Sequence, residues 1–250
     1  MGTAEGRGAV TIVDFSNRGS RILAFLSRVA IAALMLGAMS GRLLAQADGG
    51  RAARATVTFT LDFPQSKPEH YSIAVGANGH AVYECKGAIA EGSEEEDDYR
   101  AEFEVSAENR AKLFEWAKQA GYFSGKIDSG NDKLAFTGAK VLSYQDDQRS
   151  NTARYNYSNV EAVRELTGLF QKMAGTLEYG RRLAYYHRYQ KLALDDELKH
   201  MEEQARNDEL SEIQGVAQVL REISDDTSVI NVVRARAREL IQMSAGNGHR

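Results

Sequence analysis

The chain has 250 residues and a formal net charge of −4, and 43% of its residues are hydrophobic and 26% charged. These proportions are ordinary for a folded globular protein and do not fit a disordered or fibrous chain. The acidic balance gives no general attraction to nucleic acid or to anionic lipid, so we expect no nucleic-acid partner.

Residues 1–47 have the layout of a secretory signal peptide. Arg18 and Arg21 precede an uncharged apolar run over residues 29–39, and Ala45-Gln46-Ala47 forms a small-x-small cleavage pattern. Cleavage before Asp48 predicts a periplasmic or extracellular protein. The alternative is an uncleaved membrane anchor, although the run is shorter than the ~20 residues that a spanning helix needs.

The next part of the chain shows the alternation of apolar and polar residues that is typical of half-buried β-strands. Asn78-Gly79 lies between two such segments, and both residues tolerate the positive φ of a tight hairpin turn. The predicted strands cover residues 56–63, 71–75, 82–85 and 99–105, with a further hairpin over residues 140–157.

Two helices accompany these strands. Ser106 is placed to cap the first helix, and Gly121 to end it. The second, over residues 158–177, has apolar residues at steps of three and four, and Ser158 with Glu161 predicts a capping box at its start. The order of elements predicts an α+β fold, in which helices cover one face of an antiparallel sheet.

Beyond residue 178 the chain shows helical patterns alone, with apolar repeats over residues 194–205, 210–220 and 230–240. We therefore expect an α+β domain over residues 48–178. A small C-terminal helical unit follows over residues 179–243, and residues 244–250 form a disordered tail.

The sequence contains no catalytic or cofactor-binding motif that we recognise: no G-x-S-x-G, no G-x-G-x-x-G after a strand and no phosphate loop. The acidic run over residues 94–98 predicts a mobile loop, because adjacent like charges repel one another and stay in water. A calcium site is the alternative, but calcium loops space their ligands around a glycine turn, which a contiguous run does not do. Glu197 and His200 share one helix face but lack the second pair that a di-metal centre needs. We predict neither cofactor nor metal.

Cys85 is the only cysteine in the chain, so an internal disulfide cannot form. The apolar residues before it predict a position in the core. The alternatives are an intermolecular disulfide and a reactive thiol, for which Lys86 is the one adjacent cation.

The most distinctive stretch lies between the two predicted halves and interleaves cations with aromatic rings. Such side chains stack on and pair with partner groups, and they are enriched at interfaces. The alternative is that the rings pack between the halves while the arginines pair with local acids. The candidate interaction surface comprises Arg181, Arg182, Tyr185, Tyr186, Arg188 and Tyr189.

Three segments together resemble a family of uncharacterised secreted bacterial proteins: Tyr155-Asn156-Tyr157-Ser158, residues 180–189 and Leu194-Asp195-Asp196-Glu197-Leu198-Lys199. The resemblance implies an exported bacterial protein and brings no known activity, so no functional residue is carried over from it.

The function that we expect is a non-enzymatic binding or interaction module of the cell envelope, with a protein or envelope partner. Two alternatives stay open. One is an envelope hydrolase with dispersed carboxylates, for which sequence alone singles out no catalytic pair. The other is a structural module whose role is assembly into a stable oligomer.

Overall fold

The computed structural model describes residues 54–64, 66–89 and 98–246. They belong to one compact unit, Arg51–Arg250. The predicted signal peptide, residues 94–97 of the acidic run and the last four residues lie outside the described part of the chain.

Six strands form a single antiparallel sheet in the spatial order β4-β3-β2-β1-β5-β6. Helices accompany it, so the predicted α+β fold with an antiparallel sheet is confirmed. The strands are β1 (Thr56–Asp62), β2 (His70–Gly76), β3 (His80–Lys86), β4 (Tyr99–Glu104), β5 (Ala139–Gln145) and β6 (Ser150–Tyr155).

The alternation of residues along each strand decides which face is buried. On the central strand β1, Phe59 lies opposite Ile73 of β2 and Leu142 of β5, and all three side chains are fully buried. The predicted hairpin between β2 and β3 is confirmed. Gly79 takes a φ of +99°, and its N–H donates to the carbonyl of Gly76 at 2.9 Å.

Five helices complete the described fold: α1 (Ala107–Gln119), α2 (Glu161–Tyr189), α3 (Leu194–Arg206), α4 (Ala217–Asp225) and α5 (Asn231–Gly246). Short 3-10 turns lie at Gly121–Phe123, Lys191–Ala193 and Ile213–Val216. The predicted cap of α1 is confirmed, because the hydroxyl of Ser106 accepts a hydrogen bond from the N–H of Asn109 at 3.3 Å.

The start of α2 differs from the prediction. The helix begins at Glu161 after Val160, and no side chain caps it. Ser158 is instead buried, where its hydroxyl donates to the carbonyl of Ile127 at 2.6 Å and accepts from the N–H of Val160 at 3.1 Å. The predicted capping box is therefore wrong, because the helix begins at Glu161 and the Ser158 hydroxyl accepts from the N–H of Val160, which precedes the helix.

The long helix α2 also passes through the predicted domain boundary at residue 178 and continues to Tyr189. On one part of the helix, the ring of Phe170 stacks on Phe59 of β1 with centroids 5.4 Å apart. On another, the hydroxyl of Thr176 donates to the carbonyl of Ser211 at 2.7 Å. Helix α2 thus lies against both the sheet and the C-terminal segment, and the predicted boundary falls within it.

Two smaller features of the C-terminal half bear on the prediction. Gly180 permits close approach of the 3-10 turn, since a Cβ atom at this position would collide with the side chain of Val216. Helix α5 extends to Gly246, so the predicted tail does not begin at Ser244.

Candidate interaction surface at the end of α2

Arg181 is not part of the surface that the sequence predicted, because its side chain is buried beneath β3. One guanidinium nitrogen donates to the sulfur of Cys85 at 3.2 Å, and the other donates to the carbonyl of Gly87 at 2.7 Å. Its counter-charge is Glu178, one turn earlier on α2, at 3.8 Å. Arg181 therefore joins α2 to the sheet and is unavailable to a partner.

Cys85 lies in the same buried cluster and is 2% exposed. Its thiol donates to the carboxylate of Glu178 at 3.2 Å. Burial, and then the charge of Glu178, raises the pKa of the thiol to about 12. A protonated, enclosed thiol is a poor nucleophile, which favours the predicted core position over the reactive or intermolecular alternatives.

Arg182 is also engaged within the fold. Its Nε donates to the carboxylate of Glu197 on α3 at 2.7 Å, and its guanidinium lies 4.6 Å from the ring centre of Tyr179. The same contact occupies Glu197, one of the two residues that suggested a metal site, while His200 is exposed to solvent. Arg182 and Glu197 thus hold α3 against α2.

The predicted surface residues that do face solvent lie near the end of α2. The ring of Tyr185 lies 5.1 Å from that of Tyr189 and 5.8 Å from that of Tyr186. Tyr186 packs against the core, whereas Tyr189 is 61% exposed. The guanidinium of the exposed Arg188 lies 5.2 Å from the ring centre of Tyr189.

Leu192, in the 3-10 turn after α2, extends this exposed area and was missed by the sequence analysis. Its side chain is 94% exposed. Its neighbour Lys191 donates hydrogen bonds to Asp226 and Ser228, so the turn is fixed against the loop before α5. We name Tyr185, Arg188, Tyr189 and Leu192 the α2-end surface. Because Ala193 and the buried Leu194 follow it directly, the sequence does not distinguish Leu192 as exposed.

A second feature that the sequence did not reveal is a cleft of about 610 Å³ between α1, α2 and the segment that precedes α4. Its carboxylates are Glu108, Glu165, Asp208 and Glu212. Glu108 pairs with Lys112 at 2.6 Å and Asp208 pairs with Lys172 at 2.6 Å.

Glu212 also lines this cleft and is itself 7% exposed. The N–H and hydroxyl of Ser106 donate to its carboxylate at 3.1 and 2.8 Å, and the amide of Asn109 donates at 2.7 Å. The backbone of Glu212 takes a φ of +60°, a conformation that costs free energy for a residue other than glycine. These hydrogen bonds offset that cost in free energy and join the start of α1 to the C-terminal helices.

No protein-family model and no curated protein matches this chain. The resemblance to secreted bacterial proteins therefore stays a prediction. Within the described residues, no helix combines the length and the apolar character that are needed to span a membrane.

Proposed function

We propose that this protein is an exported, non-enzymatic interaction module of the cell envelope, which binds a protein partner through the α2-end surface. The observation that carries the proposal is the side chain of Leu192, 94% exposed in a fixed turn beside Tyr189, which is 61% exposed. Export rests on the layout of residues 1–47, which lie outside the described part of the chain.

An isolated exposed apolar residue needs no explanation, whereas Leu192 follows the exposed Tyr189 by three residues, so a partner that covers one of them also lies near the other. Burying a leucine side chain against a partner contributes about 1.5–3 kcal/mol. Tyrosine and arginine are the side chains that most often contribute strongly to binding at protein interfaces. The α2-end surface thus offers an apolar anchor, an aromatic platform and a cation in one place.

Arg188 adds a specificity element to this surface. Its guanidinium is exposed, and among the described residues it contacts the ring of Tyr189 and pairs with no carboxylate. An acidic side chain of a partner can therefore pair with Arg188 without breaking an existing ion pair. We expect the partner to present an apolar pocket bordered by aspartate or glutamate.

Site-specific photo-cross-linking in the native producer tests the proposal. A benzophenone amino acid replaces Leu192 in one strain, and Gln148, in the exposed turn between β5 and β6, in a control strain. We expect a discrete cross-linked species from position 192 and none of that mass from position 148. Adding Tyr189→Ser to the first strain should weaken that species.

Equal cross-linking from both positions, or a species that Tyr189→Ser leaves unchanged, would contradict the proposed surface. A species with twice the mass of the protein would favour the structural assembly alternative. Because Leu192 and Tyr189 are exposed, replacing either by serine should change the free energy of unfolding by less than about 0.5 kcal/mol. A loss of binding is then not a loss of folding.

The hydrolase alternative has a location in the cleft, but less support. Such an enzyme needs one carboxyl group that stays protonated and a second that is free to act as a base or nucleophile. Glu108, Asp208 and Glu212 each bind a cation or several hydrogen-bond donors. Among the described residues, Glu165 is the carboxylate of the cleft with no recorded ion pair or hydrogen bond.

A further inference from the structure

The cleft between α1 and α2 has the size and position of a ligand site and is separate from the α2-end surface. Its volume of about 610 Å³ lies within the range of roughly 300–1,000 Å³ that is typical of small-molecule sites. It opens where the helices of the sheet meet the C-terminal segment, and ligand sites often occur at such junctions.

One wall of the cleft is aromatic. Trp116 of α1 lines it and is partly buried, with part of its indole accessible. It is the only tryptophan in the chain. Leu169, Leu210 and Ile213 also line the cleft, and the indole is its one large flat ring among the described residues. Such a ring offers a face for the C–H groups of a sugar ring or for another apolar surface.

Oppositely charged side chains that line the cleft pair with one another. Lys112 pairs with Glu108, and Lys172 pairs with Asp208, each at 2.6 Å. Among the described residues, three cations and four carboxylates line the cleft, so this lining has no excess of positive charge that would attract a phosphate or another polyanion. Its density of charged groups equally disfavours an apolar ligand, because those groups would lose hydration without new partners.

Uncharged hydroxyl groups fit this lining because each one donates and accepts a hydrogen bond. The side chain of Asn109 is already fixed by its amide hydrogen bonds to Glu212 at 2.7 Å and to the hydroxyl of Ser211 at 3.0 Å, which leave its carbonyl oxygen as an acceptor. Fixed polar groups lose little conformational freedom when a ligand binds. The exposed Glu165 adds an acceptor that has no recorded partner within the described part of the chain.

Gly168 keeps the floor of the cleft open. It lies inside α2, where glycine is disfavoured relative to alanine. A Cβ atom at Gly168 would meet nothing within 4 Å, whereas one at Gly180 would collide with Val216. Close packing therefore explains the glycine at position 180 and gives no reason for the one at position 168. A ligand that occupies the space above Gly168 would give that reason.

We propose that this cleft binds an uncharged saccharide, with one pyranose ring on Trp116 above Gly168 and its hydroxyl groups bonded to the side-chain carbonyl of Asn109 and the carboxylate of Glu165. A sugar chain in the cell envelope or in the surroundings of an exported protein is a ligand of this chemistry. The site does not depend on the proposed protein-binding surface, and either can fail without the other.

Tryptophan fluorescence tests the proposal on the intact protein, because all of the indole emission comes from Trp116. The probes are maltotetraose, a neutral hexose chain, and tetra-N-acetylchitotetraose, an N-acetylated one. We expect a saturable change in emission with one of them and a dissociation constant below about 10 mM. The probe that binds distinguishes a hexose ligand from an amino-sugar ligand.

Two substitutions at one position fill the proposed ring site to different extents. Gly168→Ala adds a single methyl group to the space of the sugar ring and should weaken binding by roughly threefold. Gly168→Phe fills the floor of the cleft and should weaken binding by at least roughly tenfold while far-ultraviolet circular dichroism stays unchanged. An unchanged affinity in Gly168→Phe would overturn the proposal.

Two other outcomes would also overturn it. One is the absence of a saturable change with either sugar at concentrations well above about 10 mM. The other is a probe recovered in shortened form, which mass spectrometry detects, because the cleft would then be the active site of the alternative hydrolase. A probe that binds and is recovered at full length supports the proposal.

Discussion

The phenol of Tyr83 on β3 donates a hydrogen bond to the carboxylate of Glu178 on α2 at 2.6 Å. Both side chains are buried, and Glu178 also receives the thiol of Cys85 and faces the guanidinium of Arg181. A buried carboxylate of this kind is tolerated because its oxygens have partners and a counter-charge. The contact joins the second half of α2 to the sheet.

Tyr83→Phe should lower the free energy of unfolding by about 1.5–3 kcal/mol, because the substitution removes a hydrogen bond to a buried charged group. Urea unfolding followed by circular dichroism measures the change. Tyr157→Phe is the matched control, since Tyr157 is 44% exposed and should tolerate the loss of its hydroxyl. Equal unfolding midpoints for the two variants would show that the buried contact stabilises nothing.

Cys85 should resist alkylation in the folded protein. Its thiol pKa rises from an ordinary 9.0 to about 12, so the reactive thiolate fraction at pH 8 falls by roughly a thousandfold, in addition to the effect of burial. We expect reaction with iodoacetamide to be slow in buffer and fast in concentrated urea, as followed by mass spectrometry. Rapid labelling of the folded protein would place the thiol at the surface.

The thiol of Cys85 also makes the stability of the folded protein depend on pH. Its pKa is higher in the folded protein than in the unfolded chain, so the unfolded chain loses the proton first as the pH rises. The contribution of Cys85 to stability is complete below pH 9 and is lost as the pH rises toward about 12. Cys85→Ala should therefore reduce the loss of stability between these limits relative to the wild type.

Lys140 should be important for stability although no carboxylate is recorded as its partner among the described residues. It is 5% exposed, and its ammonium donates to the carbonyls of Thr137 at 3.1 Å and Asn156 at 3.1 Å. Burial lowers the pKa of this amine. Lys140→Met keeps most of the side-chain volume but leaves these acceptors without a donor, at a cost of about 1–3 kcal/mol.

Urea unfolding again measures the effect of Lys140→Met. Lys118→Met is the control, because Lys118 lies exposed on α1 and its ion pair with Glu115 is long, at 4.0 Å. A surface substitution of this kind should change the free energy of unfolding by less than about 0.5 kcal/mol. The prediction about Lys140 is wrong if the two variants unfold at the same urea concentration.

The two glycines of α2 should respond in opposite directions to alanine. Gly168→Ala should stabilise the protein by about 0.5–1 kcal/mol, since the helix gains a better helix former and the methyl group enters open space. Gly180→Ala should destabilise it by about 1–3 kcal/mol, because the methyl group would overlap the side chain of Val216. Thermal unfolding of both variants tests the pair, and the same sign for both would contradict the packing that we describe.

The elements that could be predicted from sequence are those that local contacts decide. The cap at Ser106 and the turn at Gly79 depend on atoms within a few residues, and both were predicted correctly. Ser158 has the same local pattern as a cap, but the helix begins later, at Glu161, and the buried serine hydroxyl donates to the carbonyl of Ile127. Ile127 lies 31 residues away, and a pattern of local spacing does not include it.

The same distinction between local and distant contacts applies to the residues of the candidate surface. Arg181 and Arg182 looked exposed because arginine usually is, yet the sulfur of Cys85 and the carboxylate of Glu197 hold them inside the fold. Tyr185 and Tyr189 lie on the part of α2 beyond residue 178 and keep an accessible face. The exposed Leu192 and the cleft arise from the packing of distant segments, which the sequence pattern does not record.

The most direct test of the proposed function is the intact mass of the protein that is recovered from its native producer. If the protein is exported and cleaved, the protein recovered from the periplasm or the medium has the mass of a chain whose first residue is Asp48. The α2-end surface then lies in the compartment of envelope partners. A full-length protein recovered from the cytoplasm would contradict export, and with it the proposal of an envelope partner.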